Sequence, residues 1–160
     1  MKLRQIVKSD NQELARIIRQ VLTEFKANLP GTVYYDASTD ALFELFQIHK
    51  AAYFVVEEEG KIVGGGGIYP TSNLPDDTCE LVKMYLLPEA RSKGYAKELI
   101  LECLSQAKEF GFKQIYLESM PELKNALLVY EKFGFRYLNK PLGNSGHFGC
   151  KLWMVKNLES

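Results

Sequence analysis

Cysteine is scarce in this chain of 160 residues: three are present, Cys79, Cys103 and Cys150, an odd number with no C-x-x-C spacing. That argues against a disulfide frame or a zinc site of paired thiols and reads as reduced thiols in a cytoplasmic protein. An excess of either charge is also missing. Lys plus Arg and Asp plus Glu number 20 each, so no overall field draws the chain to nucleic acid or to an anionic membrane, and neither is expected as a partner. No apolar run approaches the ~18 residues of a membrane span, and no basic-then-apolar leader opens the sequence. Internal repeats, low-complexity tracts and linkers are lacking too, so one domain over 1–160 is expected, long enough to bury roughly two-thirds of its unfolded surface. Neither G-x-x-x-x-G-K-[ST] nor a strand-following G-x-G-x-x-G occurs, which sets aside a P-loop nucleotidase and a dinucleotide fold.

What is present alternates between the strand and helix periods. KLRQIV is a short strand, and Asp10 is placed to cap a helix whose Leu14, Ile17, Ile18, Val21, Leu22 and Phe25 fall at helical spacing. The loop LPGTVYYD leads to a second predicted helix, STDALFELFQIH, capped by Ser38 or Thr39. AAYFVVEE and KIVGGGGIY flank an EEGK hairpin turn, in which Glu57, Glu58 and Glu59 read as a solvated charge run. Gly64 to Gly67 mark either a bulge, a close approach of another backbone, or simply a weak strand. CELVKMYLL alternates as a core strand, with Glu80, Val82 and Met84 expected on one face. A helix over 94–110 follows, then the strand KQIYLES, a helix in PELKNALLVYEKF, and the strands FGFRYL and GHFGCKLWMV. The order predicts an α/β fold, a mixed and mostly antiparallel sheet with helices on both faces.

The stretch RSKGYAKE is unusual because it puts Arg91, Lys93 and Gly94 where a helix start favours Ser, Asp or Glu. Unpaired amides at that end, the helix dipole and a glycine that permits close approach together suit a phosphate or pyrophosphate. The same residues also fit a glycine-entered helix with two solvated cations.

ELVKMYLLPEARSKGYAKELI resembles motif A of the GNAT acetyltransferase superfamily, with Arg91-Ser92-Lys93-Gly94-Tyr95-Ala96 on its [Q/R]-x-x-G-x-[G/A] signature. KNALLVYEKFGF resembles motif B at a family-like distance, and the likeness covers nearly the whole chain. The resemblance implies acetyl-coenzyme A as co-substrate and no metal. Met84, Tyr85 and Leu86 would hold its pantetheine arm through backbone groups, and Arg91 to Lys97, including Tyr95 and Ala96, would hold its pyrophosphate. Asn125 would hydrogen-bond the arm. Tyr130, on the apolar face of its helix, would protonate the leaving thiolate. Glu80 stands where many members keep a basic carboxylate; the alternative is a surface glutamate paired with a lysine.

A base or water chain is needed because an alkylamine, with a pKa of about 10.4, is neutral in only about one molecule in 10³ at pH 7. The expected reaction is direct transfer to a primary amine of a small molecule or protein. Transfer to a hydroxyl, transfer of another acyl group, or a non-catalytic acyl-coenzyme-A sensor are the alternatives on the same scaffold. Tyr34 and Tyr35 are candidates for an aromatic wall around a cationic acceptor, and His147 for substrate binding or proton transfer. Cysteine catalysis is disfavoured, since no cysteine stands beside a histidine in the sequence. A homodimer, if formed, is expected through the last strands.

Overall fold

A computed structural model describes residues 1–159. Its strands are β1 (Lys2–Gln5), β2 (Ala52–Glu58), β3 (Lys61–Tyr69), β4 (Thr78–Leu86), β5 (Gln114–Ser119), β6 (Arg136–Leu138) and β7 (Leu152–Asn157). They form one seven-stranded sheet in the order β1-β2-β3-β4-β5-β7-β6. Every pairing is antiparallel except β4 with β5. Helices α1 (Asn11–Glu24) and α2 (Leu42–Leu45) cover one face; α3 (Tyr95–Glu109) and α4 (Lys124–Lys132) cover the other. No helix among the described residues is long and apolar enough to cross a membrane.

Helix α3 follows its apolar pattern, since Leu99, Ile100, Cys103, Leu104 and Ala107 are buried against the sheet. It stops at Gly111, whose φ of +89° suits the left-handed end of a helix. The amides of Gly111 and Phe112 return to the carbonyls of Lys108 and Ala107, each at 3.0 Å, and so satisfy the last turn.

Two helix starts differ from expectation. Asp10 does not cap α1; its carboxylate accepts from the Val7 amide at 2.8 Å and is held by Arg4. The second predicted helix shrinks to a 3-10 turn over Ala37–Asp40 and the short α2. Thr39 spends its hydroxyl on the Val33 carbonyl, and the α2 amide of Phe43 is capped instead by Asn11 from α1.

The glycine run records both a bulge and a close approach. Between Gly65 and Gly67 the β3–β4 register slips, so that β4 carries one extra residue, and Lys83 sits there at a φ of +52°. The bulge reverses the alternation: Glu80 and Val82 share one face, but Met84 falls on the other, with Cys79 and Leu81. Tyr53 lies across Gly65 and Gly67, where any Cβ would strike its ring, and its hydroxyl donates to the Lys83 carbonyl at 2.8 Å. Because both groups are buried, Tyr53→Phe removes that donor and is expected to cost roughly 1–3 kcal/mol, read as a lower denaturant midpoint at unchanged slope.

Candidate active site

Strands β4 and β5 pair only from Thr78 to Glu80 and then part, leaving Leu81–Leu86 without a partner on the β5 side. The gap opens into a cleft of about 880 Å³. Its apolar wall includes Leu81, Ile100, Leu117, Val129 and Phe133, a surface suited to a long, thin ligand. Met84, Tyr85 and Leu86 line it from β4, and Asn125 and Tyr130 from α4.

At its mouth the chain passes through Ser92 at a φ of +61° and Gly94 at +83° into α3. The amides of residues 92–97 have no hydrogen-bond partner among the described residues. They stand at the positive end of a 15-residue helix, an arrangement of free amides suited to an anion. Arg91, Ser92, Gly94, Tyr95, Ala96 and Lys97 line the cleft, whereas Lys93 does not.

The two cations that drew attention to this loop are compensated from within the chain. Arg91 grips Glu24 with both terminal nitrogens, at 2.7 and 2.8 Å, and donates through Nε to the Leu86 carbonyl. Lys93 pairs with Glu58 at 2.7 Å, while Glu57 pairs with Arg4 at 2.8 Å. The glutamate run is therefore not simply solvated, and the side-chain cations fasten the loop while its amides stay free. If so, Arg91→Ala should lower coenzyme A affinity by less than tenfold. Gly94→Val, which forces a branched side chain into the left-handed region, should lower it by roughly tenfold or more, both read by calorimetry.

A second, smaller cavity of about 40 Å³ adjoins the cleft. Glu80, His147 and Cys150 line it; Lys83 and Glu118 line both spaces. Glu80 is 3% exposed and accepts a hydrogen bond from Thr71 at 2.5 Å. Burial, reinforced by the charge of Glu118, lifts its carboxyl from the ordinary 4.5 to about 7, against the pull of Thr71.

His147 Nε2 lies 2.6 Å from Asp36. Burial opposes the imidazolium, but the Asp36 carboxylate outweighs it and raises His147 above its usual value. Burial likewise works against the Asp36 charge, yet His147 and Lys83 together hold that carboxyl below the usual range. Cys150 shares the cavity with His147, which the sequence did not reveal, but burial pushes its thiol up to about 12.

Tyr130 is buried and lines the cleft with its ring against Phe135, and burial pushes its phenol above its ordinary value. The structure thus brings Glu80, His147 and Tyr130 around adjoining spaces. It leaves Tyr34 and Tyr35 aside. Tyr34 packs on the α1 side and Tyr35 is 63% exposed, while Thr32, Val33 and Asp36 from the same loop turn toward the smaller cavity or its rim. Sequence reasoning passed over Lys83, Glu118 and Asp36. Lys83 and Glu118 each carried a signal, a charge inside a largely apolar strand; Asp36 carried none.

The fold and cleft are shared with known proteins. The model of the Acetyltransferase (GNAT) family matches residues 17–135. An uncharacterized N-acetyltransferase of Escherichia coli K12, YjgM, is 43% identical over 157 residues, covering 98% of this chain and 94% of its own length. Among solved structures, a GNAT-family acetyltransferase of Staphylococcus aureus Mu50 superposes at a TM-score of 0.86 with 19% identity, covering 99% of both chains. The Salmonella typhimurium protein yncA, solved with its cofactor acetyl-CoA, does so at 0.76 with 19% identity, covering 100% of this chain and 95% of its own. A family match across most of the sequence and a relative alike from end to end agree with the parted strands and the amide nest: the chain belongs to the GNAT family and is an acetyltransferase.

Proposed function

We propose that the protein transfers the acetyl group of acetyl-coenzyme A to a primary amine by direct attack within a ternary complex. The observation that carries this reading is the run of unpaired amides over residues 92–97, set at the mouth of a cleft that leads to Tyr130 and adjoins the Glu80 cavity. The amides receive the pyrophosphate, and the apolar walls take the pantetheine arm along Met84, Tyr85 and Leu86, with Asn125 as a polar contact. The thioester then lies where the cleft meets the smaller cavity, beside the bulge at Lys83.

The acceptor enters through the smaller cavity. Glu80, with a pKa of about 7, takes a proton from the ammonium. The neutral nitrogen attacks the thioester carbon, an amide N–H near the bulge steadies the oxyanion, and the carbon–sulfur bond breaks. The departing thiolate takes the Tyr130 proton, and the attacking nitrogen, which still carries one proton more than a neutral amide, returns it to the phenoxide through solvent. Cys150 is poorly suited to carry the acyl group, since a thiol titrating at about 12 is protonated at neutral pH, and this supports attack by the substrate itself. Free-thiol release measured over a panel of amines tests the reading. Amine-dependent release, lost in Glu80→Gln, is expected; release that ignores the amine would overturn it.

A further inference from the structure

The Lys83 ammonium is the least satisfied charge near the junction of the two cavities. Its side chain is 5% exposed, and its one ion pair among the described residues is a long 3.4 Å contact with Asp36 Oδ2. That same oxygen is already held at 2.6 Å by His147. An ammonium carries three donors, so most of its hydrogen-bonding capacity is unspent in a place where a buried charge needs partners. The bulge explains its aim: the extra residue turns Lys83 out of the strand's alternation and toward the loop that bears Asp36.

Carboxylates of opposite purpose stand in the same cavity. Glu80 comes from β4 and Glu118 from β5, with Glu118 held by the hydroxyls of Tyr116, at 2.7 Å, and Ser145. The small cavity therefore has an anionic side suited to an ammonium and a cationic side suited to an anion. A cavity of about 40 Å³ holds only a compact head group, which leaves the rest of the acceptor in the mouth.

We propose that the acceptor is a free amino acid, whose carboxylate is anchored by Lys83 while its amine faces Glu80 and Glu118. This rests on the acetyl-transfer reading and narrows it. A polyamine would bring a second cation against Lys83, and a peptide terminus or amino-acid amide would leave the ammonium as poorly partnered as before.

The test compares matched acceptors with the whole protein and acetyl-coenzyme A: alanine, leucine and phenylalanine, their amides, their decarboxylated amines, and spermidine. Each amino acid is expected to exceed its own amide and amine by roughly 10²-fold in kcat/KM, mostly through KM. Lys83→Met should collapse that ratio toward one, and Lys83→Arg should keep much of it. Amides, amines or spermidine used as well as the amino acids, or a preference undiminished in Lys83→Met, would overturn the proposal. The wild-type comparison stands even if a variant fails to fold. Calorimetry with acetyl-coenzyme A separates the two readings. If the cofactor does not bind, the transfer reading fails; ligand-observed NMR of the same amino acids with wild type and Lys83→Met then decides the anchor alone, and no binding, or binding unaffected by the substitution, overturns it.

Discussion

Glu80→Gln is expected to lower kcat by 10²–10⁴-fold, the usual worth of a positioned general base, and at the same time to make the protein more stable above neutral pH. The two effects share one cause. The carboxyl is nearly closed off from water, and burial lifts it from 4.5 to about 7. In wild type the rate should therefore rise with pH and level off above about 7, as the base loses its proton.

Stability runs the other way. Below about 4.5 the group is protonated in folded and unfolded chains alike and costs nothing. As pH rises toward 7 the unfolded chain ionises first and gains ground. Once the folded carboxyl also ionises, the loss is complete and on the order of 3 kcal/mol. Glutamine has no such group, so the pH dependence of the denaturation midpoint between 5 and 8 should flatten in the variant. A variant with wild-type turnover, or with an unchanged pH–stability curve, would remove Glu80 from the mechanism.

Tyr130→Phe should lower kcat by roughly 10²-fold or more while changing coenzyme A affinity little, because in the proposed mechanism the phenol acts only when the thiolate leaves. Its acidic limb near pH 7 should remain, since that limb belongs to Glu80. Burial keeps Tyr130 protonated beyond the usual phenol range, so it remains an acid throughout the working pH. The substitution should also be gentle on the fold. The Tyr130 hydroxyl has no hydrogen-bond partner among the described residues, whereas that of Tyr53 holds the bulge. Of these two buried tyrosines, removing the hydroxyl from one should slow the reaction, and from the other unsettle the sheet. Initial rates and equilibrium denaturation of both variants separate the effects.

Much of this was legible wherever the governing contacts are local. The apolar face from Leu99 to Ala107 and the stop at Gly111 follow from helical spacing and glycine's freedom, and α3 forms accordingly. What escaped depends on residues far apart in the chain. The face of Met84 is set by a bulge, and the bulge is braced by Tyr53, thirty residues earlier. Arg91 and Lys93 looked unpaired because Glu24 and Glu58 lie 67 and 35 residues away. The acceptor side was read from its aromatics, Tyr34 and Tyr35, yet Asp36 is the residue that reaches His147 across 111 positions. No periodicity announces such a pair.

The amide nest is the central claim, and backbone NMR of the ¹⁵N-labelled protein tests it most directly. On titration with coenzyme A, the amide resonances of residues 92–97 are expected to move further than any others on α3, and Gly94→Val should blunt those shifts. Coenzyme A binding that leaves these amides unmoved while shifting resonances elsewhere would contradict the account.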